Sequence, residues 1–223
     1  GRRRARGITT MLPEAGTLTS TAAHALEANV QETPATEAPL AVASKLPVAA
    51  LRAAYTAAGR VHVPGILDEA SARRIHEQLA AQETWNLVTR QAGRHVDMNL
   101  QSVESWSAED RAKLDAVVRD GARQGFQYLY ANIPLYDVWH GQMLPGHFFE
   151  TLFEFLNAPA FLDLARALTD DPDIGFADAQ LTRYGPGHFL TRHDDDVAGK
   201  NRRAAYVLNL TPRWNPDWGG ILQ

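Results

Sequence analysis

The chain has 223 residues, of which 45% are hydrophobic and 22% are charged, and its formal net charge is −4. These values are typical of one soluble domain and give no support to a nucleic-acid-binding protein. The absence of cysteine excludes disulfides and thiolate metal sites, and no apolar run approaches the ~20 residues of a membrane span, so we expect a cytoplasmic protein that holds any metal through nitrogen and oxygen.

Residues 1–45 are rich in Ala, Thr, Glu and Pro and contain few large apolar side chains. This composition predicts a disordered N-terminal arm ahead of a single domain that spans 46–223. Met11 is a candidate start of translation, because the stretch before it opens without an initiator. No apolar segment of signal-peptide length follows the arginines of that stretch.

The first part of the domain predicts helices. "PVAALRAAYTAAG" places apolar residues at helical spacing and ends at Gly59. The next stretch, "RVHVPGIL", predicts a short strand, and Asp68 is a plausible N-cap for the helix that follows it. These elements belong to a helical part that we place at 46–173.

The middle of the chain predicts a hairpin and three further helices. "TWNLVTRQAGRHVDMNL" predicts two strands joined at Ala92-Gly93. Ser107 caps the next helix, with Asp110 at the capping-box position. Two more helical pieces, "GHFFETLFEFLNA" and "PAFLDLARALTD", are divided at Pro159.

From Ile174 onwards the sequence changes character. "IGFADAQLTRYGPG", "HFLTRHD", "RRAAYVLNLTP" and "WGGILQ" are short, rich in β-branched and aromatic residues, and separated by turn residues. Helices followed by a run of strands over 174–223 predict an α+β fold whose C-terminal half is a sheet, a sandwich or a barrel.

A histidine followed by three aspartates is the candidate functional motif. If "HFLTRHD" is a strand, His193 and Asp195 share one face, whereas Asp194 and Asp196 point to the other. One imidazole and one carboxylate are two thirds of the 2-His-1-carboxylate set that holds Fe(II). A calcium loop is a poorer reading, because the spaced oxygens and the terminal Glu of such a loop are missing. A solvated acidic loop stays an alternative.

"LTRYGPGHFLTRHDDD" followed by "RRAAYVLNLTPRWNPDWGGILQ" resembles the core of the 2-oxoglutarate- and Fe(II)-dependent dioxygenases. Within that superfamily it most resembles the prolyl 4-hydroxylase-like branch, the bacterial relatives of the Egl-nine and ribosomal-protein prolyl hydroxylases. The resemblance covers roughly 176–223. It implies a double-stranded β-helix (jelly roll) with an N-terminal helical layer. It also implies Fe(II), 2-oxoglutarate and O2 as cofactor and cosubstrates, ascorbate as a reductant, and hydroxylation of a prolyl residue in a peptide or protein.

Carried over by position, the resemblance implies that His193 and Asp195 are iron ligands. Tyr184 matches a tyrosine that lies beside 2-oxoglutarate in relatives; a packed strand residue is the alternative for this side chain. Val207 stands where some relatives have a second tyrosine that faces the cosubstrate. His188 is not expected to be a ligand, because five residues before His193 on a strand it faces the other side.

The family also has a second histidine ligand and, beyond it, a basic residue that binds the far carboxylate of 2-oxoglutarate. No other histidine of this chain matches that ligand. We therefore expect both residues to lie beyond Gln223, with the C-terminal part of the jelly roll. Residues 1–223 alone are expected to be unstable and inactive, because an incomplete jelly roll leaves a sheet edge unpaired.

Three other functions remain open from the sequence. The same chemistry could act on a free amino acid, another small molecule or an alkylated base. A non-catalytic, cupin-like module could bind a metal or a peptide. The acidic turn could be a solvated loop of a structural fragment. We expect no nucleic-acid or membrane partner, and the sequence leaves the oligomeric state open.

Overall fold

The computed structural model describes residues 38–195, 199 and 201–219. Most of the predicted arm with Met11, as well as Asp196 and the end of "WGGILQ", lie outside the described residues. The elements in chain order are α1 (Val48–Ala58), α2 (Glu69–Ala81), β1 (Asn86–Gln91), β2 (Arg94–Asn99), α3 (Leu100–Glu104), α4 (Ala108–Gln124), β3 (Tyr128–Ile133), α5 (Leu135–His140), α6 (Phe148–Leu156), α7 (Pro159–Thr169), β4 (Leu181–Arg183), β5 (Phe189–Leu190) and a 3-10 turn (Pro216–Trp218).

The predicted helices form where their capping residues place them. α1 ends at Gly59, whose φ of 69° is left-handed and favours glycine. Asp68 caps α2 by accepting a 2.7 Å hydrogen bond from the amide three residues later. Ser107 caps α4 by accepting from the Asp110 amide at 3.1 Å. None of the helices in the described ranges is long and apolar enough to cross a membrane.

The five strands form one antiparallel sheet in the order β2-β1-β3-β4, with β5 also paired to β3. The predicted hairpin is confirmed. Its turn residues Ala92 (φ 49°) and Gly93 (φ 80°) both have positive φ, as a two-residue type I′ turn requires. Helices combined with an antiparallel sheet confirm the α+β class.

The central strand β3 was not predicted from the sequence, for which 46–173 is a helical part with one hairpin and the short strand "RVHVPGIL". All six residues of β3 are buried, so its sequence "YLYANI" lacks the apolar–polar alternation by which half-exposed strands are recognised. β3 pairs with β1 on one side and with β4 and β5 on the other. The strand therefore joins the hairpin to the C-terminal strands.

The sheet has two buried faces of different character. One face, which we call the helical face, packs against the helices and carries Leu87, Leu129, Ala131 and Ile133. The opposite face, which we call the aromatic face, carries Val88, Tyr128 and Tyr130 with Phe126 and Leu190 packed against them. Because side chains alternate along a strand, β1 and β3 contribute to both faces.

α6 is the apolar anchor of the helical face, with six of its nine residues buried. Asn157, which follows α6, ties the chain that leads to β4 onto this helix. Its Nδ2 donates to the Ala177 carbonyl at 2.9 Å, and its Oδ1 accepts from the Ala177 amide at 2.9 Å. One side chain thereby satisfies both backbone groups of a residue in a segment without regular structure.

Residues 38–45, the last part of the predicted arm, pack on the domain. Val42 forms an isolated antiparallel bridge with Leu67, and the Ala41 amide donates to Ser71 Oγ at 2.8 Å. The prediction of disorder therefore does not hold for these eight residues. The predicted strand "RVHVPGIL" is also wrong, because that stretch makes a turn and contributes only the bridge at Leu67.

The stretch predicted as the strand "RRAAYVLNLTP" is not a strand in the described part of the chain. Its residues Tyr206, Leu208 and Leu210 pack against the core, whereas Val207 and Asn209 are exposed. This alternation is that of an extended chain with one buried face, but a strand also needs a hydrogen-bonded neighbour. The described residues form one sheet, so the jelly roll stays a prediction.

We expect Asn157→Ala to lower the free energy of unfolding by about 1–3 kcal/mol, because both backbone groups of Ala177 lose their partner. Denaturant unfolding measures the change. Gln124→Ala, at an exposed position on α4, is the control and should stay within about 0.5 kcal/mol. An Asn157 variant as stable as the control would contradict this assignment.

Candidate metal centre

His193 and Asp195 converge at the end of the segment that follows β5. Nε2 of His193 lies 3.7 Å from Oδ1 of Asp195, and the two side chains are 13% and 11% exposed. The strand geometry used to predict their convergence is not present, because β5 ends at Leu190. The two side chains nevertheless meet, in an irregular segment beyond the strand.

The imidazole of His193 is oriented by the backbone just before it. Its Nδ1 lies 2.9 Å from the Thr191 carbonyl oxygen, which can only accept a hydrogen bond. Nδ1 therefore carries a proton, and Nε2 is the ring nitrogen that lies on the side of Asp195. A carbonyl that fixes the tautomer in this way is the usual companion of a metal-binding histidine.

The carboxylate of Asp195 is buried with one oxygen unsatisfied. Among the described residues, Oδ1 has no hydrogen-bond partner. Burial raises the pKa of Asp195 above its ordinary value, while the neighbouring His193 and Arg202 lower it in part and Asp194 raises it further. Arg202 also donates to the Asp195 backbone carbonyl at 3.3 Å. A buried carboxylate is costly unless it is paired, so this one favours the binding of a cation.

This pair fits a divalent transition metal in its donor types and nearly in its spacing. Metal bonds to histidine and carboxylate are about 2.1 Å long, so adjacent ligands at a right angle lie about 3.0 Å apart. A closure of less than ~1 Å from the observed 3.7 Å would place both atoms on one ion. Imidazole and carboxylate suit Fe(II), and within the described ranges no third histidine or acid joins them.

A row of aromatic rings connects this pair to the aromatic face of the sheet. The ring of Phe126 lies 5.7 Å from that of His193 and 5.6 Å from that of Tyr128. Tyr128 contacts Tyr130 at 5.5 Å, and Tyr130 stacks on Tyr184 at 5.2 Å with an angle of 24°. The structure therefore brings the three predicted site residues to one side of the sheet.

Tyr184 is held by stacking and still exposes 47% of its surface. Its ring is thus packed, as the structural alternative predicts, and also open to the space over the aromatic face. Tyr130 beneath it is 3% exposed, and burial raises the pKa of its hydroxyl. Both tyrosines accordingly stay neutral at physiological pH and can donate hydrogen bonds.

Two further residues were singled out in the sequence, His188 and Val207. The Nδ1 atom of His188 accepts from the Gly185 amide at 3.0 Å and so closes the Gly-Pro-Gly turn. Its exclusion as a ligand stays a prediction. Val207 is 46% exposed, on the outer side of the extended segment.

The residues that support the site from below, Phe126, Tyr128 and Tyr130, were not identified from the sequence. Their signal is the i, i+2, i+4 spacing of aromatic residues in "FQYLY". That spacing was overlooked because the stretch follows α4 directly. Gln180, which contacts Asn132 at 3.1 Å on the same side, carries no comparable signal.

Comparisons with known proteins point to the same part of the chain. Residues 179–223 match the family model of the 2OG-Fe(II) oxygenase superfamily. The matched segment is about one fifth of the chain and contains Tyr184, His193 and Asp195. No curated protein and no solved structure matches the chain. The family match supports a dioxygenase that uses Fe(II), 2-oxoglutarate and O2; it does not distinguish the branch or the substrate.

We expect Asp195→Asn to bind Fe(II) or Mn(II) more than about tenfold more weakly. Loss of a residue that only orients a metal ligand already weakens metal binding by about this factor, and loss of the ligand itself should weaken it more. The same change should leave the melting temperature of the metal-free protein unchanged or higher, because it removes a buried charge. Isothermal titration and thermal unfolding measure the two effects.

Asp170→Asn, at an exposed ion pair with Arg52, is the control and should bind metal as the parent does. A metal-free Asp195→Asn protein that is clearly less stable than the parent would show that this carboxylate serves the fold and not a cation.

Proposed function

We propose that the protein is a Fe(II)- and 2-oxoglutarate-dependent dioxygenase in which His193 and Asp195 are two of the iron ligands. The convergence of these two side chains at 3.7 Å, beside an aromatic face, is the observation that carries the proposal. The match of the surrounding residues to the oxygenase superfamily supports it independently. Donor type and burial agree with such a site.

The bound iron, with 2-oxoglutarate and O2, supplies an oxidant that hydroxylates an unactivated C–H bond and releases succinate and carbon dioxide. The chain's own residues bind the metal and orient its ligands. His193 presents Nε2 because Thr191 holds the opposite ring nitrogen. Asp195 contributes its unsatisfied oxygen and, with it, a negative charge that favours the cation. Phe126 packs against the imidazole at a tilt of 46° and thereby helps to hold its position.

Tyr184 is proposed to lie beside 2-oxoglutarate. Tyr130 stacks under its ring, so the ring keeps one orientation while its upper surface remains exposed. A phenol in that position can donate a hydrogen bond to a carboxylate oxygen. The stacking on Tyr130 fits a packed strand residue, and the exposed upper surface fits a residue beside 2-oxoglutarate, so both alternatives from the sequence are compatible with this position.

The proposed substrate is a prolyl residue in a peptide or protein, with ascorbate to keep the iron reduced. The resemblance of "LTRYGPGHFLTRHDDD" to the prolyl 4-hydroxylase-like branch supports this choice. The exposed ring of Tyr184 adds a physical reason, because the apolar ring of proline packs well against aromatic side chains. A free amino acid or another small molecule is the alternative for the same chemistry.

A non-catalytic module that binds a metal or a peptide is the second candidate. It is favoured by one observation: within the described ranges only two metal-binding side chains converge. Such a module would bind the ion without turning over 2-oxoglutarate, so one assay separates the two functions.

We expect the full-length protein to form succinate from 2-oxoglutarate only when Fe(II) is added, and His193→Ala to reduce the rate by at least about a hundredfold. His140→Ala, at an exposed position against Tyr136, should keep the parent rate. A folded parent that binds iron but forms no succinate would favour the binding module.

Tyr184→Phe should raise the KM for 2-oxoglutarate about three- to tenfold with little change in kcat, because it removes one hydrogen bond and retains the stacking. Steady-state succinate assays give both constants. An unchanged KM in Tyr184→Phe would assign this residue to packing alone.

A further inference from the structure

A second histidine–aspartate pair lies on the aromatic face, in strand β2. His95 pairs with Arg90 of β1, and Asp97 pairs with Val88, which belongs to the aromatic face. Two residues apart on a strand, His95 and Asp97 point to the same side. The sequence analysis did not single out this pair.

The pair is connected to the buried side of the sheet through Tyr128. The hydroxyl of Tyr128 lies 2.5 Å from Nδ1 of His95, and Nε2 of His95 lies 3.0 Å from Oδ2 of Asp97. The second contact is within ion-pair distance but off the line of the N–H bond. Exposure increases along the chain of contacts: Tyr128 is 4% exposed, and the side chains of His95 and Asp97 are 18% and 26% exposed.

The direction of the hydrogen bond between Tyr128 and His95 follows from the buried Tyr128 hydroxyl. Burial raises the pKa of Tyr128 above its ordinary value, so its hydroxyl keeps a proton and donates it to a nearby acceptor. Nδ1 of His95 is the acceptor in contact with it. The ring N–H of His95 is then at Nε2, on the side of Asp97. This contact is not a hydrogen bond, so Asp97 lies against the imidazole at the exposed end and keeps its capacity to accept.

Oδ2 of Asp97 faces His95, and the side chain is 26% exposed, so the carboxylate is partly open to solvent. The carboxylate is close enough to Tyr130 for its charge to raise the pKa of that phenol. Tyr130 in turn supports Tyr184. An oriented acceptor, partly open to solvent, thus lies along the aromatic face next to the proposed cosubstrate residue.

We propose that Asp97 binds a backbone N–H group of the peptide substrate, and that His95 and Tyr128 are positioning residues that hold the Asp97 carboxylate for it. This inference rests on the proposed function, from which it takes a peptide as the substrate. A carboxylate accepts strongly from N–H donors. A cationic substrate group is disfavoured, because Arg90 faces the same side from the neighbouring strand.

The test compares a peptide with esters of itself. The full-length protein with Fe(II) and 2-oxoglutarate, kept free of oxygen, is titrated calorimetrically with blocked Ala-Pro-Ala. It is then titrated with analogues in which an ester oxygen replaces each backbone N–H in turn. We expect one of these replacements to weaken binding to the parent about tenfold or more.

Asp97→Asn should weaken binding of the unmodified peptide by a similar factor. The amide oxygen of the introduced side chain will face the Nε2–H of His95, and its NH2 group, a donor, will face the substrate N–H. The ester that loses affinity for the parent should then lose none for this variant, as in a double-mutant cycle. Asp120→Asn, exposed on α4, is the matched control and should behave as the parent.

The inference is overturned if the parent does not bind the peptide, if no ester binds more weakly, or if the sensitive ester loses as much affinity for Asp97→Asn as for the parent. The ester series on the parent needs no variant to fold. Binding is measured without turnover: Asp97-dependent peptide binding in a protein that forms no succinate would uphold this inference and reject the proposed catalysis. Succinate formation together with peptide binding that does not depend on Asp97 would uphold the proposed catalysis and reject this inference.

Discussion

The burial of β3 on both faces is the constraint on which the rest of the structure depends. Leu129, Ala131 and Ile133 face the helices, and Tyr128 and Tyr130 face the opposite side. One six-residue strand therefore joins the apolar core to the surface that carries the candidate site. The rings along it fix where His193 and Tyr184 rest, because each contacts an aromatic side chain in or just before β3.

The candidate site combines groups that burial alone would disfavour. Asp195 has an unsatisfied oxygen and a raised pKa and lies beside the imidazole of His193. Such an arrangement lowers the stability of the metal-free protein, and binding of a cation raises it again. Asp97, at the other end of the aromatic face, is instead held by contacts with His95. The first carboxylate suits a metal and the second a hydrogen-bond donor of a substrate.

The sequence predicted those parts of the fold that depend on local signals. Caps such as Asp68 and the Ala92-Gly93 turn act through neighbouring residues, so the five predicted helices and the hairpin could be placed correctly. β3 lacked alternation because both of its faces are buried, and the segment 206–210 has strand-like burial without a paired neighbour. His193 and Asp195 were found from their spacing, but the orientation of His193 depends on a hydrogen bond to the Thr191 backbone carbonyl, which no sequence pattern indicates.

The central claim is that His193 and Asp195 bind a metal ion beside the aromatic face. Mn(II), which accepts the same nitrogen and oxygen ligands, broadens the NMR signals of nearby protons and so reports where it binds. The account predicts that substoichiometric Mn(II) broadens the ring signals of Phe126, 5.7 Å from His193, and leaves those of Phe155 on the helical side sharp. Broadening that spares Phe126, or that affects both rings equally, would contradict it.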